Sequence, residues 1–118
     1  MAAPNLLGTT TVTGKTALAT LTTVTANVIT NSSSSGTVDK LNSIVLSNYS
    51  GSAVTANVMI NRSATVYYVG GVVAIPANST LVLLGKDTSL YLEEGDVLQA
   101  NVSANTSVSM SASYELMS

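Results

Sequence analysis

Apolar and polar residues alternate with a period of two through much of this chain, and the pattern is cleanest near its end. Val108, Met110, Ala112, Tyr114 and Leu116 occupy one parity, while Ser107, Ser109, Ser111, Ser113 and Glu115 occupy the other. Successive side chains of a strand point to opposite faces, so this run predicts a half-buried β-strand. Leu98, Ala100 and Val102 alternate in the same way with Gln99, Asn101 and Ser103. The link through Ala104, Asn105 and Thr106 is short and polar, and the two runs together predict a β-hairpin with one apolar face.

Similar patterns recur upstream. Val54, Ala56, Val58 and Ile60 alternate with Thr55, Asn57, Met59 and Asn61, which predicts another strand. The stretch Thr37–Asn48 carries Val38, Ile44 and Leu46 on one parity and Leu41 and Val45 on the other. Apolar residues on both faces are expected of a strand at a sheet centre. In Ala17–Thr30, Leu18, Val24, Ala26 and Val28 share one parity, which predicts a strand with a weak first half. Thr65–Ile75 is strand-like but contains Gly70 and Gly71, the signature of a bulge or sharp bend. Thr80–Leu84 reads as a short buried strand and Leu90–Leu92 as extended. Gly, Asn, Ser and Pro collect between these runs, at 31–36, 49–52, 61–64, 76–79, 85–88 and 93–96, where turns are expected. About seven or eight short strands with no helical window predict an all-β fold, a single antiparallel β-sandwich or jelly-roll-like domain.

Residues 1–16 break the pattern. Pro4 and the threonine-rich run Thr9–Thr13 disfavour helix, and the segment is too polar for a core strand. The expected organisation is an extended N-terminal arm over 1–16 and a β-sandwich domain over 17–118. An arm of this length reaches on the order of 50 Å and gains little by folding onto its own core. Its backbone groups are expected to find partners on a neighbour's sheet edge. The residues expected to make such contacts are Ala2, Pro4, Asn5, Leu6, Leu7, Thr11, Val12 and Thr13.

Composition changes the picture in one respect. Charged residues make up 8% of the 118, against about 25% in ordinary soluble domains. Ser, Thr and Asn fill the gap with 43 residues. Hydroxyls and amides hydrate a surface yet cost less than ions when buried, whereas a free monomer ordinarily carries charge to resist association. The chain is therefore expected to work inside an assembly. The net charge of −2 and the scattered positions of Lys15, Lys40, Arg62 and Lys86 leave no phosphate-neutralising stripe, so nucleic acid is not an expected partner. No run approaches the length of a membrane span, and the first residues do not form a secretory leader, so cytoplasmic synthesis is expected and no membrane partner. Without a leader, the six Asn-x-Ser/Thr triplets are expected to stay unmodified.

Candidate chemistry is thin. There is no cysteine or histidine, so disulfides, thiolate metal sites and histidine bases are excluded. Gly14-Lys15-Thr16 has the end of a phosphate-binding loop but lacks its first glycine, because position 9 is Thr9. Glu93, Glu94 and Asp96, with Asp87 nearby, form the acidic cluster. Calcium favours such oxygens, but the spacing fits no known loop and Gly95-Asp96 is ordinary turn chemistry. No base stands beside any serine, so an enzyme is not expected, nor a cofactor. Tyr67, Tyr68 and Tyr91 offer a thin platform for a sugar, although tyrosine in strands mostly packs.

Five segments taken together carry a resemblance: Gly14–Thr16, 38–48 (VDKLNSIVLSN), 75–81 (IPANSTL), 91–97 (YLEEGDV) and 113–116 (SYEL). Tyr91-Leu92-Glu93-Glu94-Gly95-Asp96 followed by the alternating final strands is the most telling of them. In this order they resemble small β-sandwich virion structural proteins of tailed phages, of the type found with marine and cyanobacterial hosts. The resemblance runs from about Gly14 to the end and is one of pattern, without a residue of unique chemical role. It implies a capsid decoration, or cement, protein that ties neighbouring capsomers together against the pressure of packaged DNA. The partners it implies are the major capsid protein or other virion proteins, and further copies of the chain in a homo-oligomer such as a trimer. A neck, tail or fibre component is the alternative, including a spike module that binds host glycan through loops such as 31–36 and 61–64.

Overall fold

The computed structural model describes residues 11–85, 90–104 and 108–117. They form nine strands: β1 (Val12–Leu21), β2 (Ala26–Thr30), β3 (Val38–Asn48), β4 (Val54–Arg62), β5 (Thr65–Ile75), β6 (Ser79–Leu84), β7 (Leu90–Leu92), β8 (Val97–Val102) and β9 (Val108–Met117). One sheet, A, runs β1-β9-β3-β6, with β7 also paired to β3; the other, B, runs β2-β8-β4-β5. All pairings are antiparallel. The first half of the chain pairs with the second half in reverse order: β1 with β9, β2 with β8, β3 with β6 and β7, and β4 with β5. That is the topology of a jelly roll, a long hairpin rolled into two facing sheets.

The core lies between the sheets. Leu21, Leu41, Ile44, Leu46, Met110, Val108 and Ala112 enter it from sheet A. Ile29, Val54, Ala56, Val58, Leu98, Ala100 and Val102 enter it from sheet B. The alternation read from β4, β8 and β9 thus gives the correct inward faces. The expected β8–β9 hairpin does not form: β8 pairs with β2 and β4, and β9 pairs with β1 and β3. Two strands with one apolar face each can bury those faces side by side or across the core, and alternation does not choose between them. Here they face each other.

Four other expectations are corrected. Val12–Thr16 belong to β1 and pair with Met117–Ser113, so the sheet begins inside the predicted arm. An edge strand needs little apolar content because backbone hydrogen bonds to one neighbour hold it. Ala17–Thr30 is two strands rather than one, and its inward residues are Leu21 and Ile29 while Leu18 and Val24 are exposed. β3 lies inside sheet A and is apolar on both faces, but the residues sort differently from their parity: a register shift between Leu41 and Ser43 turns Leu41, Ile44 and Leu46 all inward and leaves Val38 and Val45 on the outer face. β6 borders sheet A and exposes Val82, so it is not a buried strand.

The glycine pair in β5 behaves as its sequence predicts. Val73 stands opposite Ala56 and Gly70 opposite Val58, so Gly71 and Val72 bulge against the single residue Asn57. A Cβ on Gly70 would lie 2.8 Å from Leu83 Cδ1, so the β5 backbone comes close to β6 at this point.

Polar side chains fasten the structure where strands end. Buried Asn31 donates from Nδ2 to the Thr37 and Leu92 carbonyls at 3.1 and 2.9 Å, and its Oδ1 accepts from the Ser35 and Thr37 hydroxyls. Buried Asn48 donates to the carbonyls of Ser52, Ile75 and Pro76 and accepts from the Ser50 amide and hydroxyl. Across the outer face of sheet B runs a chain of amides. The Val72 N–H donates to Asn57 Oδ1 at 2.8 Å, Asn57 Nδ2 to Asn101 Oδ1 at 2.9 Å, and Asn101 Nδ2 to Thr25 Oγ1 at 2.8 Å.

Candidate functional site

Two surfaces stand out, one at the β1 side of sheet A and one at the opposite edge of the sandwich. β1 borders sheet A, and its second edge pairs with no strand among the described residues. It is ten residues long, VTGKTALATL, with Lys15 as its one charge. Edges of this length usually carry several charges, a proline or a bulge that discourages pairing with another chain. The outer face of sheet A continues from it. Thr20, Ser109, Ser47 and Thr80 lie in one row across four strands, and Thr16, Ser113 and Ser43 in another. Between them runs the row Leu18, Ser111, Val45 and Val82. Leu18 is 76% exposed and Val82 62%. A depression of about 260 Å³ lies beside Leu18, Thr20, Ser109 and Ser111. These three rows carry no ion and give up their water at low cost, while Lys40 and Glu115 stand opposite each other on the same face beyond Ser43 and Ser113.

Of the residues expected to make intermolecular contacts, Val12 and Thr13 are exposed on β1, opposite Met117 and Leu116. Thr11 is exposed immediately before it. Ala2, Pro4, Asn5, Leu6 and Leu7 lie outside the described residues, as does Asp87. Gly14-Lys15-Thr16 sits within β1 opposite Glu115, Tyr114 and Ser113, an extended strand rather than a loop before a helix.

The second surface is a cleft of about 450 Å³ lined by Ile60, Arg62, Tyr67, Leu90 and Tyr91. It lies where the ends of β4 and β5 approach β7. Ser63 and Ala64, both at positive φ, make the two-residue turn that sends β5 back beside β4 and puts Tyr67 opposite Ile60. Tyr67 is 58% exposed and Tyr91 40%. Tyr68 takes the other face of β5, opposite Met59, so the three tyrosines do not form one platform.

Arg62 forms one wall of this cleft through a fork to Asp96. Its Nε donates to Oδ1 at 2.8 Å and its Nη2 to Oδ2 at 2.6 Å, and Nη2 also reaches Glu93 Oε2 at 3.0 Å. Asp96 is buried and closes its own turn, with Oδ2 accepting from the Glu93 N–H at 2.9 Å. Burial pushes the Asp96 carboxyl up, but hydrogen bonds from Arg62 and the Glu93 amide, with the guanidinium charge, outweigh it and hold the pKa below the usual range. The same hydrogen bond to Asp96 raises the Arg62 pKa. Glu94 turns away and accepts from the Gly36 N–H at 2.9 Å. The acidic cluster is thus divided between an ion pair and two turns. Asp96 is fixed as an ionised acceptor and is not poised to deliver a proton at neutral pH.

A third group was not legible in the sequence. Asp39 is buried near the β1 side of sheet A, and its Oδ1 has no hydrogen-bond partner. Burial raises its pKa, and the charge of Lys15 opposes the rise. Tyr114 is raised by burial and then by Asp39. Lys15 and Tyr114 are partners across β1 and β9, and Asp39 lies on β3 next in the sheet, so pairing unites three residues far apart in sequence. Among the described residues, no group of three carboxylate, histidine or cysteine side chains is placed to hold a metal ion. The chain matches no protein-family model and no curated protein sequence.

Proposed function

We propose that this chain is a non-enzymatic structural subunit of a tailed-phage virion, a decoration protein that stabilises the capsid by bridging neighbouring subunits. The observation that carries the reading is the set of three ion-free rows on the outer face of sheet A, from Thr16 to Val82, together with the open edge of β1. Exposed Leu18 and Val82 supply apolar contact across a field of hydroxyls, and ten residues of unpaired strand edge supply backbone donors and acceptors. The low charge of the whole chain and the resemblance of segments 38–48, 75–81 and 91–97 to small virion proteins support the same reading. Residues 2–11 precede this edge and contribute to the contact in the proposal.

The test is to locate the chain on intact particles and to perturb the face. Electron cryomicroscopy is expected to find it at repeated positions over the capsid lattice. Placement only at the portal vertex, neck or fibres would move it to the alternative component class, and absence from every particle would end the proposal. Leu18→Lys and Val82→Lys change exposed side chains, so each should fold normally while lowering particle occupancy at least tenfold. Val24→Lys, exposed in the β1–β2 turn, should leave occupancy unchanged.

A further inference from the structure

We infer that the cleft between Tyr67 and Tyr91 is a binding site for an uncharged saccharide. The inference does not rest on the virion reading. Its volume of about 450 Å³ lies within the range of small-ligand sites and is enough for one or two sugar rings. Its lining has the composition such sites need, two aromatic rings and two aliphatic side chains beside a small number of polar groups. Both rings stand substantially in solvent, at 58% and 40% exposure, where packing does not explain them. A tyrosine presents an apolar face and a hydroxyl, which suits a sugar ring that has an apolar C–H face and a hydroxyl rim.

Charge selects the class. Arg62 brings one positive group to the wall, and Glu93 and buried Asp96 are both paired to it. The guanidinium is already engaged by both carboxylates, so an anionic ligand would find that positive charge neutralised. A quaternary ammonium would find two rings but would also meet Arg62 at the cleft wall. A neutral polyol meets neither penalty. Its hydroxyls can exchange hydrogen bonds with the two phenols, while Ile60 and Leu90 cover its apolar edge. The ion pair also fixes the wall: Asp96 holds the Arg62 side chain by two bonds before any ligand arrives, so little side-chain freedom is lost on binding.

The test uses the full chain, whose five tyrosines and absence of tryptophan make tyrosine fluorescence a direct report. Neutral gluco-, galacto- and manno-oligosaccharides would be titrated alongside sialyllactose and choline. At least one neutral series should give a saturable change, and sialyllactose and choline should give none. Tyr67→Ala and Tyr91→Ala should each weaken binding at least tenfold, Tyr67→Phe and Tyr91→Phe should largely retain it, and Tyr68→Ala should leave it unchanged. Tyr68, at 63% exposure on the other face of β5, controls for removal of an exposed ring. Thermal melts of each variant separate binding from folding. No saturable response to any neutral saccharide, tighter binding of either charged probe, or an equal loss with Tyr68→Ala would overturn the inference. Because Tyr67 lies on sheet B, Tyr67→Ala leaves the outer face of sheet A intact, and its particle occupancy tests the virion reading separately.

Discussion

Asn31→Asp is close to an isosteric change, and its predicted cost is large. The side-chain NH₂ of Asn31 lies 2.9 Å from the Leu92 carbonyl and 3.1 Å from that of Thr37. Replacing it with oxygen removes both donors and leaves acceptor against acceptor in a buried place. Two net hydrogen bonds are worth about 2 kcal/mol, and the unpaired buried acceptors add about 1–3 kcal/mol, giving a loss of roughly 3–5 kcal/mol. That is a large share of the stability of ~5–15 kcal/mol usual for a domain. With an unfolding entropy near 2 cal/mol/K per residue, each kcal/mol corresponds to about 4 °C, so the melting temperature should fall by roughly 12–20 °C. The introduced carboxyl faces carbonyls in a buried site, so its pKa in the fold is raised. The sign follows: the deficit is full above that raised value and shrinks as the pH falls through it, because the protonated acid regains one donor. Urea unfolding followed by circular dichroism at neutral and mildly acidic pH measures both effects. A loss below about 1 kcal/mol at neutral pH would show that Asn31 is not the fastening between β2, β7 and the 32–37 loop.

Met110→Ala, at a fully buried position, should cost about 2–5 kcal/mol, whereas Ser109→Ala on the outer face should cost less than about 0.5 kcal/mol; equal losses in urea would contradict the register of β9. Asp39→Asn should raise stability at neutral pH. A carboxyl whose folded pKa is raised contributes stability that is present below its ordinary value of 3.8 and is lost as the pH rises through the folded value. The advantage of the variant over the parent should therefore vanish below that ordinary value, and a pH-independent difference in paired urea melts would refute the assignment.

The inward faces of β4, β8 and β9 were legible because period-two alternation reports burial directly. Partnership was not. Strands β8 and β9 are joined by a short link and carry matching apolar faces, yet they sit in different sheets, and only long-range pairing distinguishes the two outcomes. The start of β1 was hidden for a related reason. Val12–Thr16 need only β9's backbone to form a strand, and backbone pairing leaves no mark in side-chain pattern. The bulge in β3 was invisible as well: a register shift after Leu41 puts Leu41 on one face with Ile44 and Leu46, and Val38 on the other with Val45, which parity alone does not reveal. For the cleft, the sequence supplied Tyr67 and Tyr91 as sugar candidates but also Tyr68, and not Arg62. The strand partners, Ile60 for Tyr67 and Met59 for Tyr68, decide which of that pair joins the cleft, while the bond from Arg62 to Asp96 spans 34 residues.

The amide chain on the outer face of sheet B acts as a check against misalignment. The inner faces of β4 and β8 are nearly uniform, with Val54, Ala56, Val58 and Ile60 against Leu98, Ala100 and Val102. Sliding one strand by two residues would keep every apolar side chain in the core, so hydrophobic burial discriminates weakly among such alignments. The amides do not tolerate the slide. In the native alignment Asn57 stands opposite Asn101, and donors run in one direction from β5 through β4 and β8 to Thr25. A two-residue displacement would put Thr55 or Met59 opposite Asn101 and break the sequence of bonds at its centre. The solvent-facing side of the sheet therefore holds the alignment information that the repetitive core lacks. A mutation there can raise the population of misaligned chains while leaving the core of correctly folded molecules untouched.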